Sequence, residues 1–111
     1  MKRVLIESPY AGDVEGNVAY ARACVLDSLR RGEAPYASHL FFTQPGLLDD
    51  CDGQERALGI EAGLAWGAAA ELTVVYADRG VSGGMRAGIE RAELEGRPVE
   101  YRSLKHIPKA A

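Results

Sequence analysis

Short apolar segments alternate with amphipathic segments along this chain, and the alternation restricts the fold more than any other feature. Residues 72–76 (LTVVY) are β-branched, apolar or aromatic, which is typical of a buried strand. The predicted strands are residues 2–8, 34–37, 72–76 and 98–101, and the predicted helices are residues 14–31, 53–69 and 85–95. Strands that alternate with helices pair in parallel through right-handed crossovers. The sequence therefore predicts an α/β fold, Rossmann-like, with three α/β/α layers and a parallel sheet of about four strands.

Helix signals support these boundaries. Apolar residues of the first helix recur at steps of three and four: Val14, Val18, Ala21, Val25 and Leu29. Asp13 is the predicted N-cap, and Gly32 is the predicted residue beyond the C-terminus. Asp52 and Glu55 have the spacing of a capping box before the second helix. Residues 38–44 fit neither a helix nor a strand clearly.

The composition indicates one ordinary globular domain. Of the 111 residues, 47% are apolar and 26% are charged. We predict a domain over residues 1–104 and a C-terminal tail over residues 105–111. The net charge of −3, without a basic patch, argues against a nucleic acid polymer as partner but leaves a single nucleotide possible.

No segment has the length that a membrane span or a signal peptide requires. The first apolar run covers only Val4 to Ile6, so we expect a cytoplasmic protein without a membrane partner. Cys24 and Cys51 are single cysteines without metal-binding or redox spacing, and we expect reduced thiols.

Ligands of open parallel sheets bind at the carboxyl ends of the strands, where the strand order reverses. The loops after the three leading strands are therefore the candidate binding loops. Tyr10 can stack on a base, and the glycines after the third strand leave backbone N–H groups free for an anion. The candidate substrate-binding residues are Ser8, Tyr10, Gly12, Asp13, His39, Gly80, Ser82, Gly83 and Met85. Ordinary strand-to-helix turns, a capping Ser82 and a structural, hydrogen-bonded His39 are the alternatives.

Two carboxylates are candidate catalytic residues. Asp78 directly follows the predicted central strand, and Glu61 has apolar neighbours on its helix. Glu61 is either a buried acid with a raised pKa or a boundary residue that reaches water. Asp49, Asp50 and Asp52 are explained more simply by helix capping than by a metal, so neither a metal ion nor a cofactor is predicted.

Gly59, Gly63 and Gly67 recur every four residues on the second helix. Each glycine costs helix stability, about 1 kcal/mol relative to Ala. The repeat predicts a close approach of another backbone, which belongs either to the same chain or to a second subunit.

Several motifs follow one another in a recognisable order: a strand followed by SPY at residues 8–10, a helix beginning near Asn17, a loop from Asp78 to Met85, and GRPVEY at residues 96–101. This order resembles the nucleoside 2-deoxyribosyltransferase-like superfamily over residues 2–104. The closest resemblance is to a branch of small proteins found in phages and actinobacteria.

The resemblance implies chemistry at an N-glycosidic bond, where a Glu of the family attacks the anomeric carbon of the sugar. It implies that Tyr10, Gly12 and Asp13 line the pocket. It also implies that Asp78 faces the sugar and that Ser82 and Gly83 bind a 5′-phosphate.

This chain departs from the family pattern at the nucleophile. The position of the nucleophilic Glu aligns with Gly88, and Glu90 lies two residues further, turned about 200° around the helix. Glu61 is then the best remaining candidate for the nucleophile.

Two functional hypotheses follow. The first is an N-glycosidic bond hydrolase or deoxyribosyltransferase that acts on a nucleoside or nucleotide. The second, suggested by Gly88, is a non-catalytic nucleotide-binding protein that acts as a sensor or sequesters its ligand. A structural dimer without ligand is a weaker third possibility. We expect a homodimer or a higher homo-oligomer, since related enzymes often complete their site with a neighbouring subunit.

Overall fold

The computed structural model describes residues 1–104, and the predicted tail at residues 105–111 lies outside this range. All four predicted strands and all three predicted helices are present, together with a short additional helix. In chain order the elements are β1 (Arg3–Glu7), α1 (Val14–Arg30), β2 (Ala34–Tyr36), α2 (Ser38–Phe41), α3 (Gly53–Gly67), β3 (Leu72–Tyr76), α4 (Gly83–Leu94) and β4 (Val99–Arg102).

The described strands form one parallel sheet in the order β2-β1-β3-β4. The chain moves from β1 to β2 and then passes back over β1 to β3, so the strand order reverses between β1 and β3. A ligand crevice is expected at this reversal, beyond the carboxyl ends of the two strands.

Side chains of β1 alternate between two layers of helices. Val4 and Ile6 belong to the buried cluster that includes Tyr20 of α1. On the opposite face, Leu5 lies against α3, where a Cβ atom on Gly67 would be 3.0 Å from its Cδ2 atom. The predicted three-layer α/β/α fold is therefore confirmed.

The ends of α1 follow the local signals in the sequence. The Asp13 carboxylate accepts a hydrogen bond of 3.2 Å from the Gly16 N–H group, as expected of an N-cap. Gly32 follows the helix with φ +83°, a conformation that a side chain disfavours. Both predicted ends of this helix are confirmed, whereas Val14 and Leu29 of its predicted apolar face are exposed.

The start of α3 differs from the prediction in one contact. Asp52 caps the helix by accepting hydrogen bonds from the N–H groups of Gln54 and Glu55. The reciprocal half of the predicted capping box is wrong, because Glu55 instead accepts a 2.8 Å hydrogen bond from the N–H group of Asp49. The acidic loop is therefore held together by helix capping.

The glycine stripe of α3 faces the rest of its own chain. A Cβ atom on Gly59 would lie 3.1 Å from a methyl group of Leu48, and one on Gly63 would lie 2.7 Å from Cβ of Ser38. Gly67 meets Leu5, as described above. Of the two readings of the stripe, the structure supports close packing within one subunit.

We predict that Gly63→Ala lowers the free energy of unfolding by about 2 kcal/mol, since the new methyl group overlaps Ser38 and forces α2 away from α3. Gly53→Ala is the matched control, because a Cβ atom there has no neighbour within 4 Å. Its expected effect is below about 1 kcal/mol. Urea denaturation measures both, and equal stability of the two variants would contradict the prediction.

Candidate functional site

A cavity of about 320 Å³ lies at the carboxyl end of β1, on the face of the sheet that α3 and α4 cover. Its wall includes Glu7 and Ser8 from β1 and the following loop, His39 from α2, Arg56 from α3 and Gly88 from α4. Six of the predicted binding residues line it: Ser8, Tyr10, His39, Ser82, Gly83 and Met85. The topological rule therefore located the cavity, although not all of its chemistry.

The first loop is closed by a contact that the sequence did not reveal. Asp13 pairs with Arg79 at 2.9 Å, and Arg79 also donates a hydrogen bond of 2.9 Å to the side chain of Asn17. The Gly16 N–H group and Arg79 hold the pKa of Asp13 below its usual range. Asp13 and Gly12 therefore stabilise the start of α1 and do not line the cavity.

The carboxylate of Asp78 is also hydrogen-bonded to other parts of the chain. Its carboxylate accepts hydrogen bonds from the Tyr20 hydroxyl at 2.6 Å and from the Leu104 N–H group at 3.0 Å. The Tyr20 hydroxyl accepts a further bond from the Asp78 N–H group, so the two residues connect α1 to the loop after β3. Asp78 is not among the residues that line the cavity, and its carboxylate already has two hydrogen-bond donors within the described chain.

Two other predicted positions lie outside the cavity. Gly80 has φ +87° and donates to the carbonyl of Ala77, so its role in the structure is to make a turn. Glu61 is exposed on the outer surface of α3, where the apolar residues beside it in the helix are also largely accessible. Of the two readings of Glu61, the structure supports the one in which its side chain reaches water.

Ser8 and His39 form a pair in the cavity wall. The Ser8 hydroxyl and Nε2 of His39 share a hydrogen bond of 2.7 Å. Burial lowers the pKa of His39 to about 4, so the imidazole is neutral near neutral pH. The pair connects the end of β1 to α2 and places an uncharged hydrogen-bonding group beside the cavity.

The first turn of α4 forms another part of the wall. The Ser82 hydroxyl caps this helix by accepting a 3.3 Å hydrogen bond from the Met85 N–H group. The helix consequently begins at Gly83 rather than at the predicted Met85. The first N–H groups of a helix have no partner within the helix, so this wall presents hydrogen-bond donors and a partial positive charge.

Glu7 is the residue of the cavity that the sequence analysis missed. Burial raises the pKa of its carboxyl group to about 8, and the charge of Arg97 opposes this rise. Among residues 1–104, no group donates a hydrogen bond to this carboxyl. The other ionisable groups of the cavity wall are Tyr10, His39, Asp50 and Arg56. An uncharged carboxylic acid at neutral pH is a group that can donate a proton to a ligand.

The Glu7 carboxyl group lies directly over Gly88 of α4. A Cβ atom built on Gly88 would be 2.5 Å from the carboxyl carbon of Glu7 and 3.0 Å from Oε1. The two features that could have signalled the site are a Glu at the end of an apolar strand and a Gly in the middle of an amphipathic helix. They are far apart in the sequence and meet only in the fold.

The described part of the chain contains neither a membrane-spanning helix nor a metal cluster. No helix within residues 1–104 is long and apolar enough to cross a bilayer. Within the same range, no three His, Cys, Asp or Glu side chains are grouped so that they could hold a metal ion.

The parallel sheet and its reversal of strand order define a Rossmann-like α/β protein, and a cavity lies beside that reversal. More particularly, the chain belongs to the family described as Domain of unknown function (DUF7768), whose model matches residues 2–102. No curated protein shows significant sequence similarity to the chain.

The structure is similar to that of a 2-deoxyribosyltransferase from the psychrotolerant bacterium Bacillus psychrosaccharolyticus, an enzyme described as a biocatalyst for nucleoside synthesis. The TM-score is 0.63 and the sequence identity is 16%, with 96% of this chain and 77% of that chain covered. At this identity the similarity concerns the fold.

Proposed function

We propose that this protein binds a nucleoside or nucleotide in the cavity and cleaves its N-glycosidic bond, or transfers the sugar to a second base. The observation that carries the proposal is the carboxyl group of Glu7, which has no hydrogen-bond donor among the described residues and lies in a small cavity where the strand order reverses. The fold shared with a 2-deoxyribosyltransferase supports this choice of substrate class.

The chemistry of an N-glycosidic bond calls for such a group. When the bond from C1′ to nitrogen breaks, its electron pair leaves with the base, and positive charge develops on the sugar. A protonated carboxyl group assists the leaving base, and a carboxylate stabilises or traps the sugar cation. Water as acceptor gives hydrolysis, and a second base gives transfer.

The other cavity residues offer contacts for the rest of such a ligand. Tyr10 provides an aromatic ring for stacking, and the neutral Ser8–His39 pair provides a hydrogen bond for a hydroxyl group. Ser82 and Gly83 at the start of α4 suit a 5′-phosphate. The volume of about 320 Å³ is near the lower end of ~300–1,000 Å³ for small-ligand pockets, which suits one nucleoside unit rather than a polymer.

A non-catalytic nucleotide-binding protein remains the second candidate. It is favoured by Gly88, because α4 provides no carboxylate at that position. The two candidates differ in a single observable, which is the appearance of free base from a bound nucleotide.

Assembly and location complete the proposal. We expect a homo-oligomer, since α3 exposes the large apolar side chains of Leu58, Ile60 and Trp66. We also expect a cytoplasmic protein of the phage and actinobacterial branch.

We predict that a screen of nucleosides and nucleoside monophosphates contains ligands that raise Tm, and that chromatography of these mixtures shows free base. A ligand at one hundred times its Kd stabilises a protein by about 2.7 kcal/mol, which is several degrees in Tm for a domain of this size. Ser82→Ala is expected to reduce the shift caused by a monophosphate more than the shift caused by the nucleoside.

Glu71→Gln serves as the control for that screen, because Glu71 pairs with Arg3 at the opposite end of the sheet. Each shift is measured relative to the Tm of the same variant without ligand. Binding without base release would favour the second candidate. A screen in which no nucleoside or nucleotide changes Tm or releases base would contradict both.

A further inference from the structure

We propose that the reacting carboxyl group of this site comes from the end of β1, as Glu7, and fills the place that a side chain at position 88 of α4 would otherwise occupy. The inference rests on the proposed function and names the catalytic residue of that same cavity. It also accounts for the glycine of α4 at the position where the family resemblance implies a carboxylate.

The geometry allows only one of the two positions to carry a side chain into this space. Gly88 is buried, and a Cβ atom on it would lie 2.5 Å from the carboxyl carbon of Glu7. Protein interiors are close-packed, so a side chain at position 88 requires the Glu7 carboxyl group to move. Glu7 and Gly88 therefore form one unit, in which the glycine provides the space and the strand provides the acid.

A purely structural role does not account for this carboxyl group. Its side chain is half-buried in the cavity wall, and no described group is hydrogen-bonded to its carboxyl oxygens. Within residues 1–104, the buried arginines Arg97 and Arg102 are paired with other carboxylates, those of Glu95 and Glu33. Glu7 is left facing the cavity, as expected of a group whose partner is a ligand.

The reaction can be written with one carboxyl group. Glu7 donates its proton to the nitrogen of the leaving base while the bond from C1′ to nitrogen breaks and its electron pair goes to the base. The resulting carboxylate then accepts a proton from a water molecule whose oxygen bonds to C1′. One water is consumed, base and sugar are released, and Glu7 is protonated again.

The surroundings of Glu7 suit the protonated form before the reaction and tolerate the carboxylate after it. His39 is neutral, and Arg97 lies near enough to lower the pKa of Glu7. Tyr10, Asp50 and Arg56 complete the ionisable groups of the cavity wall. Burial outweighs the charge of Arg97, so at neutral pH the acid form is the one that meets the ligand.

The first test compares Glu7→Gln with the control Glu90→Gln. Glu90 is an exposed residue of α4 that does not line the cavity. The probe is the nucleoside or nucleoside monophosphate from which the wild-type protein releases base, and we expect Glu7→Gln to lower that release by at least about 100-fold, since acid–base catalysis contributes ~10²–10⁴. The Tm shift caused by that ligand persists in Glu7→Gln, and Glu90→Gln has wild-type activity.

The second test moves the carboxyl group from β1 to α4. The double variant Glu7→Ala/Gly88→Glu places it in the same space from α4, and we expect base release at least tenfold above that of Glu7→Ala. Gly88→Ala alone leaves Glu7 in the chain but displaces its carboxyl group, and should lose activity while remaining folded by circular dichroism.

The outcomes separate the inference from the proposed function. Base release by Glu7→Gln within threefold of wild type overturns the inference and leaves the proposed function standing. Wild-type activity of Gly88→Ala would also overturn the inference and leave the proposed function standing. A wild-type protein that releases no base from any nucleoside or nucleotide overturns both.

Discussion

Between pH 6.5 and pH 8, the free energy of unfolding is expected to fall by about 2 kcal/mol in the wild-type protein and to remain nearly constant in Glu7→Gln. The pKa of Glu7 rises from 4.5 in the unfolded chain to about 8 in the folded one, because burial disfavours the carboxylate. Above pH 4.5 the unfolded state therefore releases a proton that the folded state retains. Stability is lost as the pH rises, until the folded protein also ionises near pH 8.

Below pH 6.5 the ionisation of His39 also changes the free energy of unfolding. Its pKa falls from 6.5 to about 4 on folding, so the unfolded state binds an extra proton between these values. Stability then decreases as the pH falls below 6.5, which is opposite in sign to the effect of Glu7. In the wild type the two effects offset one another between pH 4.5 and pH 6.5, whereas Glu7→Gln should lose stability on acidification across that range.

Urea denaturation at half-unit pH intervals measures both profiles. The difference between wild type and Glu7→Gln isolates Glu7, because the remaining titrations are shared. Glu90→Gln is the matched control and should follow the wild-type profile. Parallel profiles of wild type and Glu7→Gln between pH 6.5 and pH 8 would mean that Glu7 is ionised in the folded protein, contrary to the prediction.

Much of the fold could be predicted because its signals are local. A run such as residues 72–76 marks a strand without knowledge of its neighbours, and β3 is buried along its whole length. Asp13 and Gly32 mark the two ends of α1 through contacts within one helical turn. The predicted capping box at Asp52 forms only in part, because Glu55 accepts its hydrogen bond from another nearby donor, the N–H group of Asp49.

The candidate site was predictable only as far as topology determines it. The rule that ligands bind at strand ends indicated Ser8 and Ser82, which line the cavity, because the rule depends on strand order alone. Asp78 also lies at a strand end, but its carboxylate accepts a hydrogen bond from Tyr20, which is 58 residues earlier in the chain. The sequence pattern assigns Glu7 only to a strand. The position of its carboxyl group depends on the absence of a side chain at Gly88. Such pairings between distant residues are set by packing, which a single sequence does not display.

A second long-range pairing joins β4 to the loop before β2. The Arg102 guanidinium donates two hydrogen bonds to the Glu33 carboxylate, at 2.8 and 2.7 Å, and their side chains are only 6% and 14% exposed. Ser28 donates a further bond of 2.7 Å to Glu33. This contact lies away from the cavity and links the last strand of the sheet to the end of α1.

Glu33→Gln is expected to lower the free energy of unfolding by about 3 kcal/mol, because it leaves the buried Arg102 charge without its bidentate partner. Glu100→Gln is the matched control: it removes another carboxylate from the same arginine, but one that is 48% exposed, and should cost less than about 1 kcal/mol. Arg102 holds the pKa of Glu33 at about 2 against 4.5 when unfolded, so this contribution is present above pH 4.5 and is lost as the pH falls towards 2. Urea denaturation at pH 7 and pH 3 measures both effects. Equal losses in the two variants, or a difference between Glu33→Gln and wild type that does not shrink at pH 3, would contradict this account of the pair.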